Sequence, residues 1–211
     1  MEKGSATDIL DKLRMQSNAG EHNILIYPDR YVLREIYSRT CKMALKNNEA
    51  VIMLLHYETK DDVETYLREL DIDVHNYEKR ERSLLIVDSV QDYFGSAKDF
   101  LFYLNLMNAN ALRRNKRGML VLIDMGFHYY QHKASSQIQR GIDSLMEFEE
   151  ILPAKLDLNV KMLCLYHVKD FDILKPVNQQ EYLLKLHFRR YSIKEDQNSY
   201  DKASDNRSIP C

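Results

Sequence analysis

Glycine and proline are scarce in this 211-residue chain, six and four respectively, and there are only three cysteines. Cys41, Cys164 and Cys211 are odd in number, far apart and without C-x-x-C spacing, which excludes a disulfide framework or a zinc cluster recognisable by spacing. Cys41 and Cys164 read as buried thiols. No apolar stretch approaches the roughly 20 residues that cross a bilayer, and the start of the chain, with Glu2, Lys3 and Asp8, lacks the hydrophobic region of a signal peptide. Neither a membrane nor secretion is expected, and the location expected is cytoplasmic. An excess of one charge is missing too: 30 basic against 32 acidic side chains give a net charge of −2, without the basic face that a phosphate backbone requires. No direct nucleic-acid partner is expected. The local basic run Arg113, Arg114, Lys116 and Arg117 reads as the C-terminal end of a helix, where cations suit the dipole.

What the chain does have is an alternation of short apolar runs and longer amphipathic segments. The runs 23–27, 50–56, 83–88, 119–124 and 160–166 have the composition of strands buried on both faces. Between them, apolar residues recur at three- and four-residue steps, as in Leu33, Ile36, Tyr37, Cys41, Ala44 and Leu45, or Phe100, Leu101, Leu104, Met107, Ala111 and Leu112. Thr59 with Asp62 offers an N-cap for a helix whose inward stripe is Val63, Tyr66, Leu67 and Leu70. Strands alternating with helices mean parallel pairing through right-handed crossovers. The fold class expected is α/β: a three-layer α/β/α sandwich on a mainly parallel central sheet. Residues 5–16 read as a leading helix and 1–19 as an N-terminal helical extension. Residues 179–187 read as a helix, 190–193 as a short edge strand, and 194–211 as a disordered polar tail.

In an open parallel sheet, ligands bind beyond the carboxyl ends of the strands. The residues there are Tyr27, Asp29 and Arg30 after the first run, His56 and Glu58 after the second, Asp88 after the third, Asp124 after the fourth and His167 after the fifth. These eight are the candidate ligand-binding residues. A phosphate cradle needs glycines, a lysine and a magnesium-binding hydroxyl after the first strand. Pro28, Asp29, Arg30 and Tyr31 supply none of these, and the connection is too short. Conventional ATP hydrolysis is therefore not expected, nor is a catalytic residue or a cofactor.

Several residues have a bland reading beside a sharp one. His22, His56 and His167 would suit a metal if they converged above the sheet, but strand-adjacent histidines are more often hydrogen-bonded core residues, so no metal is expected. His128 and His132 have i, i+4 spacing without the glutamate of a zinc protease and read as surface. Tyr27, Tyr31, Tyr57, Phe127, Tyr129 and Tyr130 put aromatics near the binding edge, suiting a planar or apolar small molecule, although packing explains each one singly.

Gly20, Glu21 and His22 before 24–27, Glu58 after the second strand, and a helix ending at Leu70, Asp71, Ile72, Asp73 and Val74 resemble the methanogen/methylotroph, DcmR-type sensory (MEDS) domain. The run 84–88, Cys164 to His167 with Asp170 and Phe171, and His187 fit the same pattern, so the resemblance spans residues 20–193. It implies a degenerate relative of the RecA and circadian-clock ATPases without a functional P-loop, acting as a non-catalytic sensory domain in signalling or regulation. By the same resemblance, Glu58 stands where those ATPases keep the glutamate that activates water, and Asp88 where they keep the magnesium-side acid. No DNA-binding or kinase segment is recognisable, so output is expected through a separate protein partner in response to a small molecule. The alternative is an oligomerisation or docking module, including a homo-oligomer, derived from a RecA-like ATPase.

Overall fold

The computed structural model describes residues 1–88, 97–130, 138–174 and 178–194. Seven strands, β1 (Glu2–Gly4), β2 (His22–Tyr27), β3 (Ala50–Leu54), β4 (Leu84–Val87), β5 (Met119–Asp124), β6 (Val160–His167) and β7 (Arg190–Ile193), form one sheet in the order β1-β7-β2-β6-β5-β3-β4. Every pairing is parallel. The helices are α1 (Ala6–Gln16), α2 (Arg30–Lys46), α3 (Lys60–Glu69), α4 (Ala97–Arg113), α5 (Phe127–Tyr130), α6 (Ile138–Ile151), α7 (Val168–Ile173) and α8 (Gln179–Leu186), with a single π turn at Asn76–Arg80.

The apolar runs form strands because both faces of the sheet are covered. Alternate residues point to opposite layers, a consequence of the two-residue period of a strand. Ile24, Ile52, Val121, Ile123, Met162 and Cys164 pack beneath α4, α6 and α8, against Phe100, Leu104, Leu145 and Leu183. Leu25, Val51, Met53, Leu122 and Leu165 face α1, α2 and α3, against Ile9, Leu33, Ile36, Val63 and Leu67. The result is the three-layer α/β/α sandwich read from the sequence.

Helix starts are set by side chains that satisfy otherwise orphaned backbone donors. Ser5 and Asp8 form a capping box on α1, Asp29 accepts from the Val32 amide (3.0 Å) at the start of α2, and Thr59 accepts from the Asp62 amide (3.2 Å) at the start of α3. Asn48 and Asn115 take left-handed backbone angles (φ 59° and 58°) just beyond α2 and α4, where a short polar side chain tolerates that conformation.

Two features differ from the sequence reading. Residues 2–4 form a strand that pairs with β7, so β7 lies inside the sheet and β1 is the edge. Glu2, Lys3 and Gly4 carry no apolar signal; their pairing comes from α1, which packs on α2 through Ile9 and Leu13 and holds the segment beside β7. Residues 195–211 lie outside the described residues. The strand order, which the sequence left open, places β6 and β5 between β2 and β3. The chain leaves β2 toward β3 and β4 on one side and ends in β7 on the other, so the carboxyl end of β2 sits where the order reverses. Such a reversal opens a crevice.

Candidate functional site

The connection from β2 to α2 consists of Pro28 and Asp29 alone. Asp29 is occupied as the N-cap of α2, and Arg30 is exposed in the first turn, with its guanidinium carbon 5.8 Å from the centre of the Tyr57 ring.

At the centre of the strand ends lies Asp124, the last residue of β5 and completely buried. One carboxylate oxygen accepts from the Gly126 amide (3.1 Å) and faces the Tyr27 hydroxyl at 3.5 Å; the other accepts from the His56 and Tyr57 amides (3.4 and 3.3 Å). Asp124 thus ties together the ends of β2, β3 and β5. Burial pushes its pKa up to about 7, with the charge of Asp170 adding to the rise and the three amides opposing it. The same burial, together with Asp124 and Asp170, pushes the Tyr27 phenol far above its ordinary value, so it stays a neutral donor.

Tyr57 carries the network outward. Its hydroxyl donates to Asp170, a buried residue of α7, at 2.5 Å, and its ring lies 5.1 Å from His56 and 6.0 Å from His167. His167 sits 5.5 Å from the Tyr27 ring and accepts from the Lys169 amide through Nδ1 (3.2 Å), capping α7. His56 is half-buried, and burial lowers its pKa. Tyr27, His56, Tyr57, Asp124, His167 and Asp170 therefore form one continuous wall of aromatic rings, imidazoles and two acids.

Gly126 keeps Tyr57 in place. A Cβ there would lie 2.7 Å from Cε2 and 2.9 Å from the hydroxyl of Tyr57. Gly126→Ala is therefore expected to displace that ring and break its bond to Asp170, costing about 1–3 kcal/mol through overpacking. Urea unfolding checks the stability, and the near-ultraviolet tyrosine circular dichroism checks the ring.

The other two acids expected at the strand ends are committed elsewhere. Asp88 is exposed and accepts from the Lys60 amide at the start of α3 (2.9 Å). Glu58 is buried and gripped by Arg34, whose Nε meets both carboxylate oxygens (3.1 and 3.2 Å) and whose Nη2 meets one (3.2 Å). The Arg34 guanidinium also lies 4.4 Å from the centre of the Tyr66 ring. With side-chain exposures of 24% for Arg34 and 1% for Glu58, the pair is lopsided: losing the arginine strands a buried carboxylate. Arg34→Ala should cost about 2–3 kcal/mol in urea unfolding, the desolvation penalty of an unpartnered buried charge.

The histidines do not converge as a trio. His22 is the first residue of β2 and Tyr27 the last, so His22 stands about 16 Å from the strand-end site at the strand rise of about 3.3 Å per residue. It packs instead against His187, Glu149 and Cys164. His128 is buried, not on the surface: its Nδ1 meets Ser144 Oγ at 3.1 Å, its ring lies 3.8 Å from Phe127, and burial lowers its pKa to about 3. His132 lies outside the described residues. Of the aromatics, Tyr27 and Phe127 are buried and Tyr31 is exposed on α2, while the side chains of Tyr129 and Tyr130 lie outside the described set.

Among the eight candidate ligand-binding residues read from the sequence, Tyr57, Asp170 and Arg34 are absent: Tyr57 stood only among the aromatics at the binding edge, Asp170 only in the family resemblance, and Arg34 in neither. Asp170 was signalled by its place three residues after His167, in the first turn of a helix. Arg34 was signalled by its step of four from Arg30, which puts both on one face of α2.

A model of one protein family, described as the MEthanogen/methylotroph, DcmR Sensory domain (MEDS), matches residues 21–175. A search of curated proteins finds no match. Among solved structures, a KaiC-like protein from the hyperthermophilic archaeon Pyrococcus horikoshii OT3 superposes with a TM-score of 0.52 and 14% sequence identity, over 85% of this chain and 76% of that one. A unique ATP synthase subunit from Nanoarchaeum equitans superposes with a TM-score of 0.49 and 12% identity, over 95% of this chain and 51% of that one. The architecture is thus RecA/KaiC-like. Among the described residues, no helix is long and apolar enough to cross a membrane.

Proposed function

Because this chain belongs to the MEDS family of sensory domains, we propose that it is a non-catalytic sensor that holds a small, uncharged, polar or planar molecule at the carboxyl ends of β2, β3, β5 and β6. The observation that carries this reading is the linked set Tyr27, Asp124, Tyr57 and Asp170, which occupies the end of the sheet with two buried acids.

A triphosphate needs donors and positive charge. Asp124 and Asp170 offer the opposite, and the two-residue link after β2 leaves no loop of amides to wrap a phosphate. A neutral ligand gains from the same groups. Asp124, held by the His56, Tyr57 and Gly126 amides, fixes the lining in place, while His56, Tyr57 and His167 supply flat walls. Occupancy would reach the rest of the protein through Tyr57 and Asp170, which join the β3 end to α7, and then pass to a separate protein partner in the cytoplasm.

Thermal unfolding against a panel of small alcohols, amides, heterocycles and nucleotides tests the reading, since a ligand that binds only the native state raises Tm. A neutral small molecule should raise Tm in the wild type and not in Asp124→Ala. A rise produced only by magnesium–ATP would sink the proposal.

A further inference from the structure

At the opposite end of β2, and on the other face of the sheet, four side chains from four different elements meet in a fully enclosed space: His22 of β2, Cys164 of β6, Glu149 of α6 and His187 at the end of α8. Their donor atoms all lie within 4.8 Å of one another. His22 Nε2 is 3.2 Å from Cys164 Sγ and 3.4 Å from Glu149 Oε2, and His187 Nε2 is 3.2 Å from the same oxygen. The two imidazole centres are 4.2 Å apart. We propose that His22, Glu149, Cys164 and His187 form a closed, four-coordinate binding site for a zinc-class divalent metal ion.

In a tetrahedral site with nitrogen or oxygen at about 2.0–2.1 Å and sulfur at about 2.3 Å from zinc, neighbouring donors stand roughly 3.3–3.6 Å apart. The two nitrogen–oxygen separations (3.4 and 3.2 Å) fall at or next to this range, and the nitrogen–sulfur separation (3.2 Å) is shorter than it. The two nitrogen–oxygen separations are long for charge-assisted hydrogen bonds, which contract to about 2.7–2.9 Å. His187 Nε2 and Glu149 Oε2 face each other at 3.2 Å yet neither has a hydrogen-bond partner, although both are buried. Buried polar atoms without partners are rare in folded proteins and call for an explanation; here both point at a common centre.

His187 donates through Nδ1 to the Leu183 carbonyl (2.9 Å), which leaves the Nε2 lone pair facing the cluster when the ring is neutral. Tyr166 donates to Glu149 Oε1 at 2.5 Å, fixing the carboxylate and leaving Oε2 inward. Metal-binding histidines and carboxylates are oriented by such outer hydrogen bonds.

A thiolate, a carboxylate and two neutral imidazoles neutralise a divalent cation, so a loaded site carries no net charge inside the core. Loading displaces the thiol proton of Cys164 to solvent. Four protein donors leave no open position, which marks a structural or sensing ion and not one that activates water. Since the donors are entirely buried, the ion enters as the chain folds.

The test uses the full chain made in zinc-replete medium. Metal analysis should find about one zinc per chain that survives dialysis, as expected for a closed structural site. Refolding with cobalt(II) should give the strong visible bands of a tetrahedral ion and a thiolate-to-cobalt charge-transfer band. Cys164→Ser should abolish the charge-transfer band, while Cys41→Ser should leave it intact. Should Cys164→Ser fail to fold, zinc X-ray absorption on the wild type decides: one sulfur at about 2.3 Å beside lighter donors at about 2.0 Å supports the site, and a shell without sulfur overturns it. A folded wild type that retains no zinc and gives no cobalt bands also overturns it, as does a charge-transfer band that persists in Cys164→Ser.

Discussion

Glu149→Ala should lower the unfolding free energy by about 3–5 kcal/mol, the usual cost of breaking a buried charged network by removing one member, and lower Tm by roughly 10 °C for a chain of this length. Glu149 is fully buried, and burial alone would raise its pKa; the neighbouring His187 and His22 imidazoles and the Tyr166 hydroxyl outweigh that and hold it at about 2. It is therefore an ionised carboxylate in the core, whose removal takes with it the acceptor for the Tyr166 hydroxyl and the contacts to the His22 and His187 rings. Calorimetry of the purified variant measures the loss. A change below about 1 kcal/mol, typical of an exposed ion pair, would mean that the four side chains do not act as a unit.

The second large effect depends on pH and comes from Asp124. Its pKa rises from 3.8 to about 7 on folding, so between these values the native state holds a proton that the unfolded chain has released. Stability from this group is fully present below the unfolded value and is lost as pH climbs through the folded value. At about 1.4 kcal/mol per pH unit, the loss is roughly 4 kcal/mol across the window. Tyr27, Asp170, Arg30 and His56 are the charged or titrating neighbours, and burial is the leading cause. Urea unfolding of the wild type and Asp124→Asn at about pH 4 and about pH 8 isolates the term, because contributions from other groups cancel in the difference. The wild type should lose more stability than the variant as pH rises. Equal losses would mean that Asp124 ionises freely in the native protein.

Much of this architecture was written in local pattern. The runs that became β2, β3, β4, β5 and β6 announced themselves because both faces of each are covered, so their interiors are apolar and the polar residues His22, Asn23, Asp124, Lys161 and His167 stand at or next to strand ends. The start of α3 was legible in Thr59 and Asp62, whose hydrogen bonds are local. By contrast, β1 is three polar or small residues whose pairing is dictated by β7, nearly the whole chain away. Strand order is likewise a matter of long-range pairing and is silent in any window of sequence.

The same division runs through the two polar clusters. The strand-end residues could be enumerated because parallel topology brings the ends of strands to one edge, but their engagement could not. Asp88 and Asp29 are taken by helix amides, Glu58 is taken by Arg34 across 24 positions, and Asp124 alone of the four is fully enclosed. The cluster of His22, Glu149, Cys164 and His187 was invisible as a motif, since His22 and Cys164 are separated by 142 positions and no spacing rule links them. Only the pairing of β2 with β6, which sets Ile24 opposite Cys164 and His22 opposite Met162, brings them to one layer.

The central claim is that the strand-end site takes a small neutral ligand in place of a nucleotide, and amide chemical shifts of the isotopically labelled protein test it most directly. Titration with the panel molecule that most stabilises the protein should move the His56, Tyr57, Gly126 and Lys169 amides together, and magnesium–ATP should leave them in place. Saturable movement of those four amides by magnesium–ATP would contradict the account. So would a ligand whose shifts gather instead along the cleft of about 450 Å³ between β4 and α4, lined by Lys79, Arg82, Tyr103 and Arg114.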